Sequence, residues 1–268
     1  MTRPLTRGTP MTTTTLPATA HRRRTDPLRR TAFLAGALYV LTFVASIPAV
    51  FLLDPVLSDP AYVLGPGADV QVTLGVVLDI VNALACIGTA VVLFPVVKRQ
   101  NETLALGFVA SRTLEAAIIA TGVVSLLAVL TLRQEAATLP GADAGALVTA
   151  QAALVAVRDW TFLLGPGIMA VVNALLLGTL MYRSRLVPRV IPLMGLVGAP
   201  LLLAFNVARI FGVADQLSAL SGLAVAGIFF WELSLGVYLM VKGFRPSPIT
   251  AGLGRTTAPT TTPTGPRA

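Results

Sequence analysis

Residues 104–130 read LALGFVASRTLEAAIIATGVVSLLAVL, and this stretch determines how the rest of the chain is interpreted. It is longer than the roughly 20 apolar residues that an α-helix needs to cross the hydrocarbon core of a bilayer. Only two ionisable residues interrupt it, Arg112 and Glu115, and their i,i+3 spacing places them on one face of a helix. The stretch therefore predicts a transmembrane helix that carries a charged face.

Five further apolar segments of similar length lie on either side of this stretch, at about 31–53, 72–97, 159–182, 190–211 and 218–241. Together the segments predict an all-α polytopic membrane bundle of six transmembrane helices within residues 31–245. The first apolar run is longer than the core of a cleaved signal peptide, so we expect a retained span. The Thr/Pro-rich flanks, 1–30 and 246–268, are predicted to be disordered tails.

Composition excludes a soluble protein. Hydrophobic residues make up 55% of the 268 residues, charged residues only 12%, and the mean hydropathy is +0.80. A soluble domain carries about 25% charged residues, so a soluble enzyme or a nucleic-acid-binding module is not expected. The chain has one cysteine, Cys86, and one histidine, His21, which lies in the N-terminal flank. No intramolecular disulfide, histidine-based metal site or Ser–His pair can form, and we predict no metal and no cofactor.

The net charge is +8, and the basic residues are concentrated on one predicted side of the membrane. If the N-terminus is cytoplasmic, 16 of the 20 basic residues fall in inner segments, whereas the outer connections hold one, Arg133, together with six acids. The positive-inside rule then predicts that both termini are cytoplasmic and that the protein lies in the inner (cytoplasmic) membrane. Its expected partner on that side is the anionic lipid headgroup, and nucleic acid is not an expected partner.

Seven ionisable residues remain within or at the edge of the spans: Asp79, Arg112, Glu115, Arg158, Asp159, Arg209 and Glu232. Charges inside a membrane are costly and normally face a bundle interior or a water-filled cavity. We predict an outward-opening polar pocket for an unknown small ligand, with the following candidate residues: Arg112, Glu115, Glu232, Asp79, Asp159, Arg158 and Asn82. Asn173 and Asn206 can join this set. If each base takes one acid, one carboxylate is left, and Glu232 is the best candidate for it.

Two features leave alternatives open. The intramembrane charges form a ligand or proton site, or they are interhelical ion pairs that only fix helix register, with Glu232 bonded to Arg112. Gly165-Pro166-Gly167 marks either a broken helix that lines a site or an ordinary kink. Pairs of small residues four apart are typical of close helix packing and occur at Ala32/Gly36, Ala174/Gly178 and Ser218/Gly222.

Several strings together resemble one bacterial membrane family, that of domain of unknown function 4386. They are LGVVLD at 74–79, ALGFVASRTLE at 105–115, DWTFLLGPG at 159–167, YRSRLVP at 182–188 and WELSLG at 231–236. The resemblance covers about 30–245 and implies a six-span protein without an established activity. It also implies Glu at the position of Asp79 and His at the position of Arg158, so this chain departs from the family pattern at both.

Three hypotheses for function follow. The first is binding or transport of a small solute, ion or lipid through the polar pocket. The second is a non-catalytic scaffold or accessory protein of the envelope, whose charges are structural ion pairs. The third, an enzyme acting on a lipid or intramembrane substrate, lacks a recognisable nucleophile–base pair or any other catalytic motif.

Overall fold

The computed structural model describes residues 27–138, 143–213 and 218–251. All regular structure in these ranges is helical, and six helices are long and apolar enough to cross a membrane. The fold class predicted from the sequence is therefore confirmed. Most of the two predicted tails, 1–26 and 252–268, lies outside the described residues. Pro27 to Arg30 form the first turn of a helix, and a short 3₁₀ turn follows the last span at Pro248–Thr250.

The helices succeed one another with short connections. Their bounds are α1 Pro27–Ser58, α2 Asp69–Val97, α3 Glu102–Ala136, α4 Ala144–Phe162, α5 Ala170–Ser184, α6 Val190–Ile210 and α7 Ser218–Val241. A 3₁₀ turn, Tyr62–Leu64, lies between α1 and α2. Helices α4 and α5 are continuous through a π-helical stretch, Leu163–Met169, and form one span of 41 residues.

Local sequence explains where the helices begin and end. The Asn101 side chain accepts a hydrogen bond from the Leu104 backbone N–H at 2.9 Å, which is an N-cap for α3. Asp143 caps α4 in the same way, with Oδ1 2.9 Å from the Gly145 nitrogen. At the C-terminus of α7, the Arg29 guanidinium donates to backbone carbonyls, where a helix dipole favours a positive charge.

The fourth span differs from its sequence-based prediction. The apolar pattern placed its start at about 159, after an outer connection of 131–158 that could hold a short interfacial helix. Instead, α3 continues to Ala136 and α4 begins at Ala144. The segment between Ala144 and Arg158 is rich in alanine, the best helix former, and a helix does not require the strong hydropathy that the span prediction relied on.

The spans form a ring in which each helix packs against its neighbours in the order α1, α2, α3, α4–α5, α6, α7, and α7 closes the ring against α1. We call the end with Pro27, Val97 and Val241 the termini end, and the end with Ser58, Asp69 and Ile210 the opposite end. The main apolar core fills the termini end, and a smaller one packs around α1, α2 and α3 at the opposite end.

The outer surface of the ring is apolar. Phe51 is 71% exposed and Val124 is 64% exposed, and many other large aliphatic and aromatic side chains face outward in the same way. A soluble protein rarely exposes a continuous apolar surface of this extent, whereas hydrocarbon solvates it without cost. The chain is therefore a multi-pass membrane protein.

A polar cluster outside the hydrocarbon-spanning region closes part of the opposite end. Arg133 forms an ion pair with Asp69, and the Tyr62 hydroxyl donates to the same carboxylate at 2.9 Å. Burial, and then the hydrogen bond to Asp69, raise the pKa of the Tyr62 phenol above its ordinary range, so it remains a neutral donor. Gln151 on α4 ties this end to α4, because its side chain bonds the Val63 nitrogen and the Asp59 carbonyl.

Candidate functional site

A cavity of about 360 Å³ lies inside the ring, between the two apolar cores. It reaches from Arg112, in the middle of the bundle, to Arg209, one residue before the end of α6. Every span contributes to its wall. The polar lining consists of Thr42, Ser46, Asp79, Asn82, Cys86, Arg112, Glu115, Arg158, Asn206 and Arg209.

Arg112 is the deepest charged residue of the site. Its side chain is 2% exposed, and it donates to Glu115 at 3.0 Å and to Glu232 at 2.5 Å. Asn173 on α5 donates to the same Glu115 oxygen at 2.7 Å. One guanidinium therefore holds two carboxylates and, through them, connects α3 to α7 and α5.

The expectation that Glu232 is left unpaired is wrong. Counting one acid for each base overlooked that a guanidinium has five N–H donors and can serve two carboxylates at once. The sequence-based alternative, in which Glu232 bonds Arg112 from another helix, describes the observed contact. Aromatic rings complete the surroundings of Arg112, with the Tyr39 centroid 5.2 Å and the Phe108 centroid 5.9 Å from the guanidinium carbon.

A second ion pair spans the cavity wall between α2 and α4. Arg158 donates to Asp79 at 2.9 Å, and both side chains are at most 9% exposed. The Phe162 ring lies one helical turn beyond Arg158, with its centroid 5.0 Å from the guanidinium carbon. Asn82, one turn from Asp79 on α2, also lines the cavity and is buried. Asp79 and Arg158, the two positions at which the resemblance implies other residues, are thus ion-pair partners of each other.

Two predicted site residues, Asp159 and Glu232, do not line the cavity, and of these Asp159 also forms no ion pair with the described residues of the site. It is exposed and does not line the cavity, although it follows Arg158 directly. Adjacent residues of a helix point about 100° apart, so Arg158 can face the interior only if Asp159 turns away from it. The structure thus brings Arg112, Glu115, Asp79, Arg158 and Asn82 to one cavity. Glu232 reaches this set through Arg112.

The π-helical stretch forms part of the cavity wall. Leu163, Pro166 and Gly167 line the cavity, and the helix continues through them without a break. Proline has no N–H to donate, and single π turns are frequent at functional sites. The absence of a side chain at Gly167 leaves room for Asn206, because a Cβ there would lie 3.1 Å from the Asn206 Nδ2 atom.

The apolar side of the cavity was not predicted from the sequence. It includes Phe43 on α1, Phe205 on α6, and Ile228 and Phe229 on α7. Phe43 and Phe229 meet edge to face, with ring centroids 5.1 Å apart. No sequence signal distinguishes these residues, because apolar side chains occupy most positions of every span. In the described ranges, no three His, Cys, Asp or Glu side chains are grouped so that they could hold a metal ion.

Comparison with known proteins gives a family and no characterised relative. A family model described as "Domain of unknown function (DUF4386)" matches residues 34–243. This range contains all the cavity-lining residues named above. No curated protein and no solved structure matches the chain.

Proposed function

The chain belongs to the DUF4386 family, which is described only as a domain of unknown function, and we therefore propose from the geometry that it binds a small ligand in the intramembrane cavity. One observation carries the proposal: a cavity of about 360 Å³ with charged and apolar walls lies within the bundle. This volume falls in the range of roughly 300–1,000 Å³ that is typical of small-molecule sites.

The placement of the charges supports a binding role. Arg112 and Glu115 face the cavity rather than lipid, as do Asp79 and Arg158. Ionisable residues within a span are expensive, and those that line a cavity commonly contact a substrate, an ion or a proton. A bundle that needed only stability could fill this volume with apolar side chains, which pack at least as favourably as buried ion pairs.

The mouth of the cavity determines how a ligand would enter. Val50, Phe162, Arg209 and Val225 line the cavity and are also exposed at the surface of the bundle. They lie in the half of the bundle nearer the opposite end. With cytoplasmic termini, this half faces the outside of the inner membrane, and a solute, ion or lipid would enter from there. The same orientation brings the basic termini end against anionic headgroups.

A scaffold role is the second candidate, and the ion pairs favour it. Asp79, Glu115 and Glu232 each have a guanidinium partner, so the pairs can stabilise the helix arrangement without any ligand. The two proposals differ in whether blocking the cavity removes a bound molecule. A purely structural role predicts that the protein is purified with its cavity empty.

The test is native mass spectrometry of the protein in mild detergent, with the retained molecules identified. Ile119→Trp places a large side chain in the cavity, because Ile119 lines it. Val124→Trp is the matched control on the same helix, because Val124 is 64% exposed on the outer surface. We expect a stoichiometric small molecule on the native protein and on the control, and its loss from Ile119→Trp.

Two results would contradict the proposal. One is a native protein that carries only bulk lipid in several detergents. The other is a molecule that Ile119→Trp retains as well as Val124→Trp does, which would place it on the outer surface. In either case the scaffold role becomes the better explanation, and pull-down of partner proteins in the same detergents becomes the next experiment.

A further inference from the structure

Three buried donors at the cavity have no hydrogen-bond partner among the described residues. They are the Nε atoms of Arg112 and Arg158 and the Nδ2 atom of Asn206. Asn206 is 3% exposed and lines the cavity, and its side-chain nitrogen has no hydrogen-bond partner in the described ranges. A buried donor without a partner costs free energy comparable to a lost hydrogen bond, so such groups usually have an acceptor when the protein functions.

Arg209 adds to the same wall a positive charge that has no ion-pair partner among the described residues. It lies one turn from Asn206 on α6, so the two side chains share a helix face. The other two guanidinium groups at the cavity have carboxylate partners, whereas Arg209 forms no ion pair within the ranges that the structure describes. The group formed by Arg112, Glu115 and Glu232 carries one excess negative charge, but it lies deeper in the bundle. An anion nearer the mouth would pair with Arg209 locally.

Beyond these polar groups, a large part of the wall is apolar. Phe43, Phe205 and Phe229 face the cavity together with aliphatic side chains from α1, α3, α6 and α7. A ligand that fits both parts has an acceptor-rich anionic end and an apolar body. A small hydrophilic anion would leave the aromatic surface without a partner, and a neutral hydrocarbon would leave the donors unsatisfied.

We propose that the ligand is an acidic amphiphile, in which a carboxylate or phosphate head contacts Asn206, Arg158 and Arg209 and an alkyl chain lies against the phenylalanine wall. This inference rests on the proposed binding function and specifies its ligand class. A carboxylate head and a phosphate head both supply the acceptors that the three side chains require.

The experiment measures binding of tritiated decanoate to the full-length protein in nanodiscs of zwitterionic phosphatidylcholine. Unlabelled decanoate, decyl phosphate and decan-1-ol compete for the site, and the first two distinguish a carboxylate head from a phosphate head. Charge-assisted hydrogen bonds to the head should make the better anion at least about tenfold more effective than the alcohol. Each competitor partitions into the bilayer to the same extent whichever variant is present. Comparing the anion-to-alcohol ratio between variants therefore removes the effect of partitioning.

Three variants test whether the preference for an anion over the alcohol arises at the proposed head-group site. Arg209→Gln and Asn206→Leu should each reduce the anion-to-alcohol ratio by about threefold or more, which corresponds to weakening one hydrogen bond in the site. Arg99→Gln is the matched control, because Arg99 is exposed at the termini end and does not line the cavity. Arg209 is exposed, so its substitution tests the proposal even if Asn206→Leu folds poorly.

The outcomes separate this inference from the proposed function. If decan-1-ol competes as well as both anions, or if Arg209→Gln and Asn206→Leu both keep the native ratio, the acidic-amphiphile inference is overturned. If neither decanoate nor decyl phosphate, each used in labelled form, binds the native protein, this inference is also overturned. Cavity binding itself is judged separately, by whether mass spectrometry finds a retained molecule that Ile119→Trp loses.

Discussion

At the scale of single residues, Arg112 is the most consequential side chain of the bundle. It is almost completely buried, and two carboxylates from different helices depend on it. Removing one member of a buried ion pair leaves an uncompensated charge, which is more costly than replacing the whole pair by apolar groups.

We predict that Arg112→Gln destabilises the protein by about 3–5 kcal/mol, because Glu115 and Glu232 lose their shared cation. Glu232→Gln is the matched comparison, and it should cost less because Glu115 still neutralises Arg112. Reversible unfolding in mixed micelles, followed by circular dichroism, measures both variants. Equal stability of Arg112→Gln and the native protein would show that the guanidinium does not hold these carboxylates.

The site was predictable from the sequence only where its residues are close along the chain. The i,i+3 spacing of Arg112 and Glu115 predicted their shared face, and the structure confirms it with a 3.0 Å ion pair. Glu232 is 120 positions from Arg112, and no local spacing relates the two. Asp159 was predicted to join the site because it is charged and lies within a span. These two properties do not determine which way its side chain points, and it is exposed.

At the scale of helices, close packing depends on which small residues meet a neighbour. Gly36 on α1 meets α7, and a Cβ at Gly36 would lie 2.5 Å from the Gly236 carbonyl oxygen. The same spacing pattern at Gly222 has no such consequence, because no described atom lies within 4 Å of a Cβ there. Spacing identifies candidates for close contact, but only the three-dimensional arrangement shows which helix faces are in contact.

We predict that Gly36→Ala destabilises the bundle by about 1–3 kcal/mol, since the added methyl group collides with rigid backbone and forces α1 away from α7. Gly107→Ala serves as the control. A Cβ at Gly107 would make only ordinary contact, 3.6 Å from the Leu176 side chain, and alanine favours a helix more than glycine does. Thermal unfolding in detergent should show a lower midpoint for Gly36→Ala and an unchanged or higher one for Gly107→Ala.

At the scale of the whole molecule, hydropathy predicted the number of spans, because each apolar segment is long enough to cross a bilayer and each is separated from the next by turn or charged residues. Hydropathy does not predict the shape or lining of the cavity. Its existence depends on how six helices close into a ring and on a π turn that places Gly167 against Asn206. Both are consequences of packing between distant segments, which apolar patterning alone does not specify.

The orientation of the ring is a prediction that follows from charge. The termini end carries Lys98 and Arg99 after α2, and Arg183, Arg185 and Arg189 in and after the last turn of α5. Arg133, in the last turn of α3 at the opposite end, is paired with Asp69. The positive-inside rule therefore predicts cytoplasmic termini. This matters for function, because the same orientation opens the cavity away from the cytoplasm.

Cysteine labelling tests the orientation, because the native Cys86 is only 2% exposed. Glu102→Cys introduces a thiol at the termini end, and Thr138→Cys introduces one at the opposite end; both positions are exposed. A membrane-impermeant maleimide should label Thr138→Cys in spheroplasts and Glu102→Cys only in inside-out vesicles, with the unsubstituted protein as the background for Cys86. The reverse pattern would place the cavity mouth on the cytoplasmic side, and an acidic amphiphile would then enter from the cytoplasmic leaflet.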